Sequence, residues 1–159
     1  MKLVALLAAL LAAGLLAALP LPTQAQEPAM QHARGTFDVT ITPVPPAADA
    51  RPDAPGRMTL SKVFHGDIEG TAEGEMLATL VGQSGAYVAL ERVHGMVGDR
   101  AGSFALAHRG VVDEGAQELS IVVVPGSGTG ELAGIAGTFH LVIEGGEHRY
   151  DLEYSLPTP

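Results

Sequence analysis

The sequence predicts an all-β fold, and three observations support that prediction. Short runs of alternating polar and apolar residues recur along the chain, and glycine-containing turns separate them. Residues 26–159 contain no apolar stripe with the 3.6-residue period of a helix. Short strands joined by glycine turns are typical of an antiparallel barrel or sandwich, so we expect one of these two architectures.

The N-terminal 25 residues predict an export signal that precedes the fold. Lys2 gives a positive start, residues 3–19 form an unbroken apolar run, and Ala25 is a small residue of the kind that signal peptidase favours. The alternative is an uncleaved membrane anchor, for which the run is short and rich in alanine. We therefore expect cleavage after Ala25, a flexible leader over residues 26–33, a single domain over 34–157, and a secreted or periplasmic protein.

The first half of the domain contains two alternating strands and a long loop. Residues 35–42 place apolar side chains on one face, and residues 57–65 do the same. The residues that share a face are Phe37, Val39 and Ile41 in the first strand and Met58, Leu60, Lys62 and Phe64 in the second, and alternation alone does not say which face lines the interior. Residues 43–56 are rich in Pro, Ala and Asp and predict an exposed loop. Residues 66–80 predict a strand, a bend at its glycines, and a further strand.

The second half predicts three further hairpins. A strand over residues 86–97 is followed by a turn at 98–100 and a partner strand over 102–110. A turn at 113–115 precedes the apolar strand 119–124. The last two strands, 139–144 and 147–156, flank Gly145 and Gly146, which favour a tight hairpin turn.

The glycine-rich segment 125–139 decides between two classes of function. Residues 128–133 fit the spacing G-x-G-x-x-A, which in dinucleotide-binding proteins opens a helix beneath the phosphates. Gly134 and Gly137 disfavour that helix, Glu131 would place a negative charge beside the phosphates, and no Gly-Lys-Ser/Thr sequence follows. We therefore interpret the segment as a corner between strands and expect no nucleotide cofactor.

Composition excludes several partners. The chain has nine Lys and Arg residues, one of them Lys2 in the leader, against 18 Asp and Glu, and a net charge of −9. Such a surface argues against nucleic acid and against anionic lipid, so we expect neither as a partner once the leader is removed. The chain contains no cysteine, so packing rather than disulfides must stabilise the exported domain.

Ordered blocks along the chain resemble a bacterial family, domain of unknown function 3224, whose members are related in fold to allene oxide cyclase. The blocks are 35–39 (GTFDV), 64–70 (FHGDIEG), 74–77 (GEML), 87–93 (YVALERV), 102–104 (GSF), His108, 126–132 (GSGTGEL) and the alternation of His148, Tyr150, Leu152 and Tyr154. The resemblance implies a calycin-like antiparallel barrel of about eight strands, whose interior can hold one small ligand. It implies no reaction, since the family is uncharacterised, and a homo-oligomer is compatible with it. The export signal and the long, proline-rich loop 43–56 depart from the family pattern.

Two residues on predicted strands are candidates for chemistry. Glu91 shares a strand face with Tyr87, Ala89 and Val93, and a carboxyl group among apolar neighbours in a barrel could exchange protons with a ligand. The alternative is a structural ion pair between Glu91 and Arg109. His108 shares a face with apolar residues, and a histidine is a common proton donor and acceptor in catalysis, although a lone histidine there is more often a hydrogen-bonded core residue.

Weaker candidates complete the set. Tyr150 and Tyr154 share a face and could offer hydroxyl groups to a ligand or simply pack inward. His65, Asp67 and Glu69 would alternate along one face of a regular strand and could hold a divalent metal, although a solvated polar face is the favoured interpretation and we expect no metal.

We therefore carry three hypotheses of function. The first is an exported barrel that binds a small apolar molecule without turning it over, with Tyr87, Glu91, His108, Tyr150 and Tyr154 as ligand-binding candidates. The second is an isomerase or cyclase in which Glu91 or His108 moves a proton. The third is a structural or assembly protein whose barrel is filled by its own side chains.

Overall fold

A computed structural model describes residues 29–157 as a single antiparallel β-sheet. The strands are β1 (Gln31–Val44), β2 (Gly56–Gly66), β3 (Ile68–Val81), β4 (Ser84–Val97), β5 (Arg100–Asp113), β6 (Ala116–Val123), β7 (Thr129–Gly130), β8 (Ala136–Glu144) and β9 (Glu147–Ser155). No helix over this range has the length and hydropathy needed to cross a bilayer. The predicted export signal lies outside the described residues.

Eight of the strands close into a barrel, which confirms the predicted fold class. Their order around the sheet is β4-β3-β2-β1-β9-β8-β6-β5, and pairing of β4 with β5 joins the two ends. All pairings are antiparallel, and the short β7 adds to β5 at Gly102 and Ser103. A closed sheet leaves no long unpaired edge, so one lumen surrounded by the inward faces of eight strands forms the core.

The two ends of the barrel differ. The turns after β1, β3, β5 and β8 lie at one end, which we call the mouth, and the turns after β2 and β4 lie at the other. Residues 124–135 connect β6 to β8 across the second end through consecutive tight turns. Leu132 and Ile135 of this connection are buried among the inward residues of the strands, so they plug that end. Access to the lumen is therefore through the mouth.

The glycine-rich segment serves geometry. Residues 124–135 contain turns, and no helix follows Val124 in the described chain. Gly130 has a φ of +60° as it ends β7, a conformation that glycine adopts without steric cost. The predicted corner between strands is thus confirmed.

The prediction of a break within residues 66–80 is wrong. β3 runs without interruption from Ile68 to Val81, and its glycines face neighbouring backbone instead of bending the strand. A Cβ at Gly70 would lie 2.1 Å from the carbonyl oxygen of His94, and one at Gly74 would lie 2.2 Å from that of Leu90. These glycines therefore allow β3 and β4 to approach closely, which the tight curvature of a small barrel requires.

Candidate functional site

An apolar cavity occupies the mouth of the barrel. It measures about 480 Å³ and is lined mainly by inward residues near the mouth ends of the strands. The lining includes Met58, Met76, Tyr87, Leu119, Leu141 and Ile143. Its volume falls within the range of small-molecule sites, and methionine side chains adapt to ligands of different shape.

A cluster of three ionisable side chains lies deeper in the lumen. Glu91 of β4 has a fully buried side chain and accepts hydrogen bonds at Oε1 from Lys62 Nζ of β2 at 2.8 Å and from His108 Nε2 of β5 at 3.1 Å. A carboxylate only accepts, so the proton of that second bond resides on Nε2 of His108. We call Lys62, Glu91 and His108 the buried triad.

Aromatic rings surround the ammonium group of the triad. Lys62 Nζ lies 4.6 Å from the centroid of the Phe37 ring and about 6 Å from those of Phe64 and Phe139. Phe139 in turn stacks on Tyr150 with centroids 5.4 Å apart. Ring faces attract a cation, so they supplement the single carboxylate as a counterpart for the buried charge.

Burial and pairing act in opposite directions on the triad. Burial lowers the pKa of Lys62 below its usual range, although the charge of Glu91 and the hydrogen bond to it act the other way. Burial would raise the pKa of Glu91, but the hydrogen bond from His108 and the charge of Lys62 outweigh it, so that pKa lies below its usual value. Glu91 is therefore an ionised carboxylate at neutral pH.

One oxygen of this carboxylate has no protein partner. Glu91 Oε2 is buried, and none of the residues 29–157 places a hydrogen-bond donor on it. An ionised oxygen left without a donor in a dry interior costs free energy, and such atoms usually meet a water molecule or a ligand. Glu91 Oε2 is thus an acceptor open to a further donor.

The strand register brings the triad next to the cavity. His108 pairs with Ala89, Ala89 pairs with Met76, and Met76 pairs with Met58, so one row across four strands contains a triad member and two cavity-lining methionines. On β5 the next inward position toward the mouth is Gly110, against which the ring of Tyr87 lies. Ala89 and Gly110 offer little side-chain volume, so only a thin layer separates the cavity from the triad.

The sequence candidates occupy three different places. Glu91 and His108 meet in the triad, and Tyr87 lines the cavity, where burial and the charge of Glu91 raise the pKa of its phenol. Tyr150 accepts a hydrogen bond from the Ile68 amide at 2.8 Å and donates to a backbone carbonyl, and its pKa is raised to about 12, chiefly by burial. Tyr154 is buried with its hydroxyl 3.3 Å from Gln31 Oε1. Both of these hydroxyls therefore have protein partners.

Two sequence interpretations need correction. Arg109 is not the partner of Glu91, because it lies on the outer face of β5 and pairs with Glu118 at 3.1 Å. His65, Asp67 and Glu69 do not share one strand face, because the chain turns between β2 and β3 at Gly66 and Asp67. Within residues 29–157 no cluster of three or more His, Asp or Glu side chains is arranged to hold a metal ion.

Lys62 is the one member of the triad that the sequence analysis did not single out. The signal was nevertheless present, since Lys62 occupies the apolar phase of its strand between Leu60 and Phe64. A lysine in that phase must either reach solvent or find a buried counter-charge. The carboxylate that meets it lies 29 residues further along the chain.

Comparisons with known proteins agree with this architecture. A family model described as a protein of unknown function, DUF3224, matches residues 33–154. A crystal structure of a DUF3224-family protein of unknown function from Shewanella oneidensis MR-1 is 40% identical, with a TM-score of 0.74 over 82% of this chain and 99% of that one. No curated protein matches the chain. With the family model spanning the barrel and a solved relative sharing its fold, the chain belongs to the DUF3224 family.

Proposed function

We propose that this barrel binds a small, mostly apolar molecule that enters through its mouth. The observation that supports the proposal best is the open apolar cavity of about 480 Å³, bounded below by packed side chains and a plugged far end. A barrel filled completely by its own residues, as a purely structural role would allow, would have no such space.

The surroundings of the cavity favour a neutral ligand. The protein carries a net charge of −9, the buried charges of Lys62 and Glu91 are paired with each other, and Glu118 of the cavity lining is paired with Arg109. An anionic ligand would meet the acidic surface and an ionised carboxylate, which act against it. Binding energy would come mainly from burying apolar ligand surface against the methionine, leucine and isoleucine side chains.

A neutral fluorescent probe, N-phenyl-1-naphthylamine, tests the proposal. Ala78 faces the cavity from β3, so Ala78→Trp would fill part of the space, whereas Thr71→Trp adds the same ring on the outer face of the same strand. We expect saturable probe fluorescence with the wild type and with Thr71→Trp, and affinity at least about tenfold weaker with Ala78→Trp. Circular dichroism would check that each variant is folded. Equal binding by both variants would place the probe elsewhere and refute the proposal.

The same cavity would serve the isomerase alternative, with Glu91 or His108 moving a proton. The geometry of the described residues does not favour turnover over binding. We therefore propose binding, and we expect a bound neutral molecule to be recovered chemically unchanged after incubation with the protein and extraction, as mass spectrometry would show.

We also propose that the barrel acts after export. The proposal rests on the charged start, the apolar run and the small residue at position 25 of the sequence. Expressed with its leader in a Gram-negative bacterium, the protein should accumulate outside the cytoplasm with a mass that corresponds to a chain starting at Gln26. An uncut chain in the membrane fraction would contradict this.

A further inference from the structure

We infer that the ligand carries a hydrogen-bond donor, such as a hydroxyl group, at the end that enters the barrel first, and that Glu91 Oε2 accepts from it. The inference rests on the proposed function and specifies the chemistry of its ligand. The mouth offers apolar surface, whereas the lumen beneath the cavity floor holds a buried, ionised oxygen that has no donor among residues 29–157. A molecule that satisfies both is amphipathic, with an apolar body and a small donor head.

The two oxygens of Glu91 have separate roles in this scheme. Oε1 receives the hydrogen bonds of Lys62 and His108, so the carboxylate is fixed in position by the adjacent β5 and by β2, which lies two strands away on the other side. Oε2 belongs to the same rigid group and is therefore held in one orientation while remaining free to accept. When a donor binds to this carboxylate, the protein loses little conformational freedom because the acceptor is already held in place, and this favours selectivity.

The covering layer is thin enough for a small head group to reach the triad. His108 shares its cross-strand row with Met76 and Met58 of the cavity. The next inward position toward the mouth is Ala89 after Glu91 on β4 and Gly110 after His108 on β5. The three atoms nearest to a Cβ placed at Gly110 all belong to the Tyr87 ring, which itself lines the cavity. A rotation of that ring would open the path, whereas a ring at position 89 would block it.

A matched pair of ligands tests the inference. 1-Octanol and 1-methoxyheptane have the same atoms in a chain of the same length, but only the alcohol donates a hydrogen bond. Measured by displacement of the naphthylamine probe, the alcohol should bind about tenfold more tightly or better, because a hydrogen bond to an ionised group is stronger than one between neutral groups.

Glu91→Gln then tests the residue. The amide oxygen can still accept from Lys62 and His108, and the amide nitrogen takes the place of Oε2 and turns an acceptor into a donor. The alcohol-to-ether affinity ratio should fall to about one, since the ether oxygen now finds a donor. Glu75→Gln, on the outer face of β3 and paired with Arg57, should leave the ratio unchanged.

The outcomes separate this inference from the proposed function. If the probe binds and both ligands displace it with equal affinity from the wild type, Oε2 is satisfied by water and the inference is wrong, while the cavity remains a binding site. If the ratio is high but survives Glu91→Gln, another group receives the donor and the inference is again wrong. If the probe itself does not bind, the proposed function fails as well. Should Glu91→Gln not fold, the wild-type ratio alone decides.

Discussion

Removal of the Lys62 ammonium group should destabilise the barrel severely. In Lys62→Met the stem still packs against Phe37, but Glu91 loses its 2.8 Å hydrogen bond and its counter-charge while its side chain stays fully buried. Breaking a buried ion pair from one side costs about 3–5 kcal/mol, because the remaining charge is left without compensation. For a domain of this size that is a fall in Tm of about 11–18 °C.

Thermal and urea unfolding followed by circular dichroism would measure this loss, and the protein supplies a matched control. Arg57 lies on the same strand as Lys62 and pairs with Glu75 of β3 at 2.7 Å, but the side chains of Arg57 and Glu75 are both exposed. We expect Arg57→Met to leave the Tm nearly unchanged, since water compensates an exposed pair. Similar shifts for Lys62→Met and Arg57→Met would refute the assignment of a dry, coupled triad.

A second substitution distinguishes the effect of one unpaired charge from the effect of losing the whole ion pair. In the double variant Lys62→Met, Glu91→Leu no charge remains unpaired between those positions, so most of the loss should be recovered. His108 Nε2 would then lack its acceptor, which costs about 1–3 kcal/mol. A double variant as unstable as the single one would mean that the damage comes from packing.

Three further outcomes follow from the structure. Gly74→Ala should cost about 1–3 kcal/mol by overpacking and more stability than Gly56→Ala, because its Cβ would lie 2.2 Å from a carbonyl oxygen, whereas a Cβ at Gly56 would lie 3.7 Å from its nearest neighbour. Equal urea midpoints for the two variants would contradict this. The pKa of Glu91 is lower in the folded than in the unfolded chain, so its ionised form stabilises the fold fully above about pH 4.5, and this contribution is lost as the pH falls through the folded value. The stability gap between the wild type and Glu91→Gln should therefore stay constant above about pH 4.5 and narrow as the pH falls further, and a gap that stays constant in acid would exclude Glu91 as its source. Of the three tyrosines, Tyr150 should titrate near pH 12 at 295 nm and Tyr150→Phe should remove that phase, so joint titration of all three near pH 10 would contradict its burial.

Alternation along each strand is what made the fold predictable from the sequence. The grouping of Tyr87 with Glu91, and of His108 with Phe104 and Leu106, follows from a period of two and holds in the structure. The direction of each face does not follow, because outward positions such as Val88 and Leu90 are apolar as well. The glycines of β3 were wrongly predicted to interrupt the strand, because their role depends on the close approach of β4, which the sequence does not show.

The partners of Glu91 were unpredictable for a different reason. Lys62 and His108 lie 29 and 17 residues away in sequence, and the strand register that joins them is set by turns and by closure of the whole barrel. Arg109 was the plausible local partner by charge, but it occupies the opposite phase to His108 and so points outward. A shift of one residue along β5 therefore decides whether His108 or Arg109 faces Glu91.

The composition of the triad itself favours a binding role over a purely structural one. Well-packed apolar side chains usually stabilise an interior as well as a buried ion pair does, or better. Three charged or basic groups in a core made mainly of aliphatic and aromatic side chains are therefore not the most stable solution. The triad is also incomplete in a specific way, since within the described part of the chain Oε1 of Glu91 has two donors and Oε2 has none. A network that served stability alone would gain by satisfying the second oxygen from the protein. An acceptor left open beside a cavity is the arrangement expected when the missing donor arrives with a ligand.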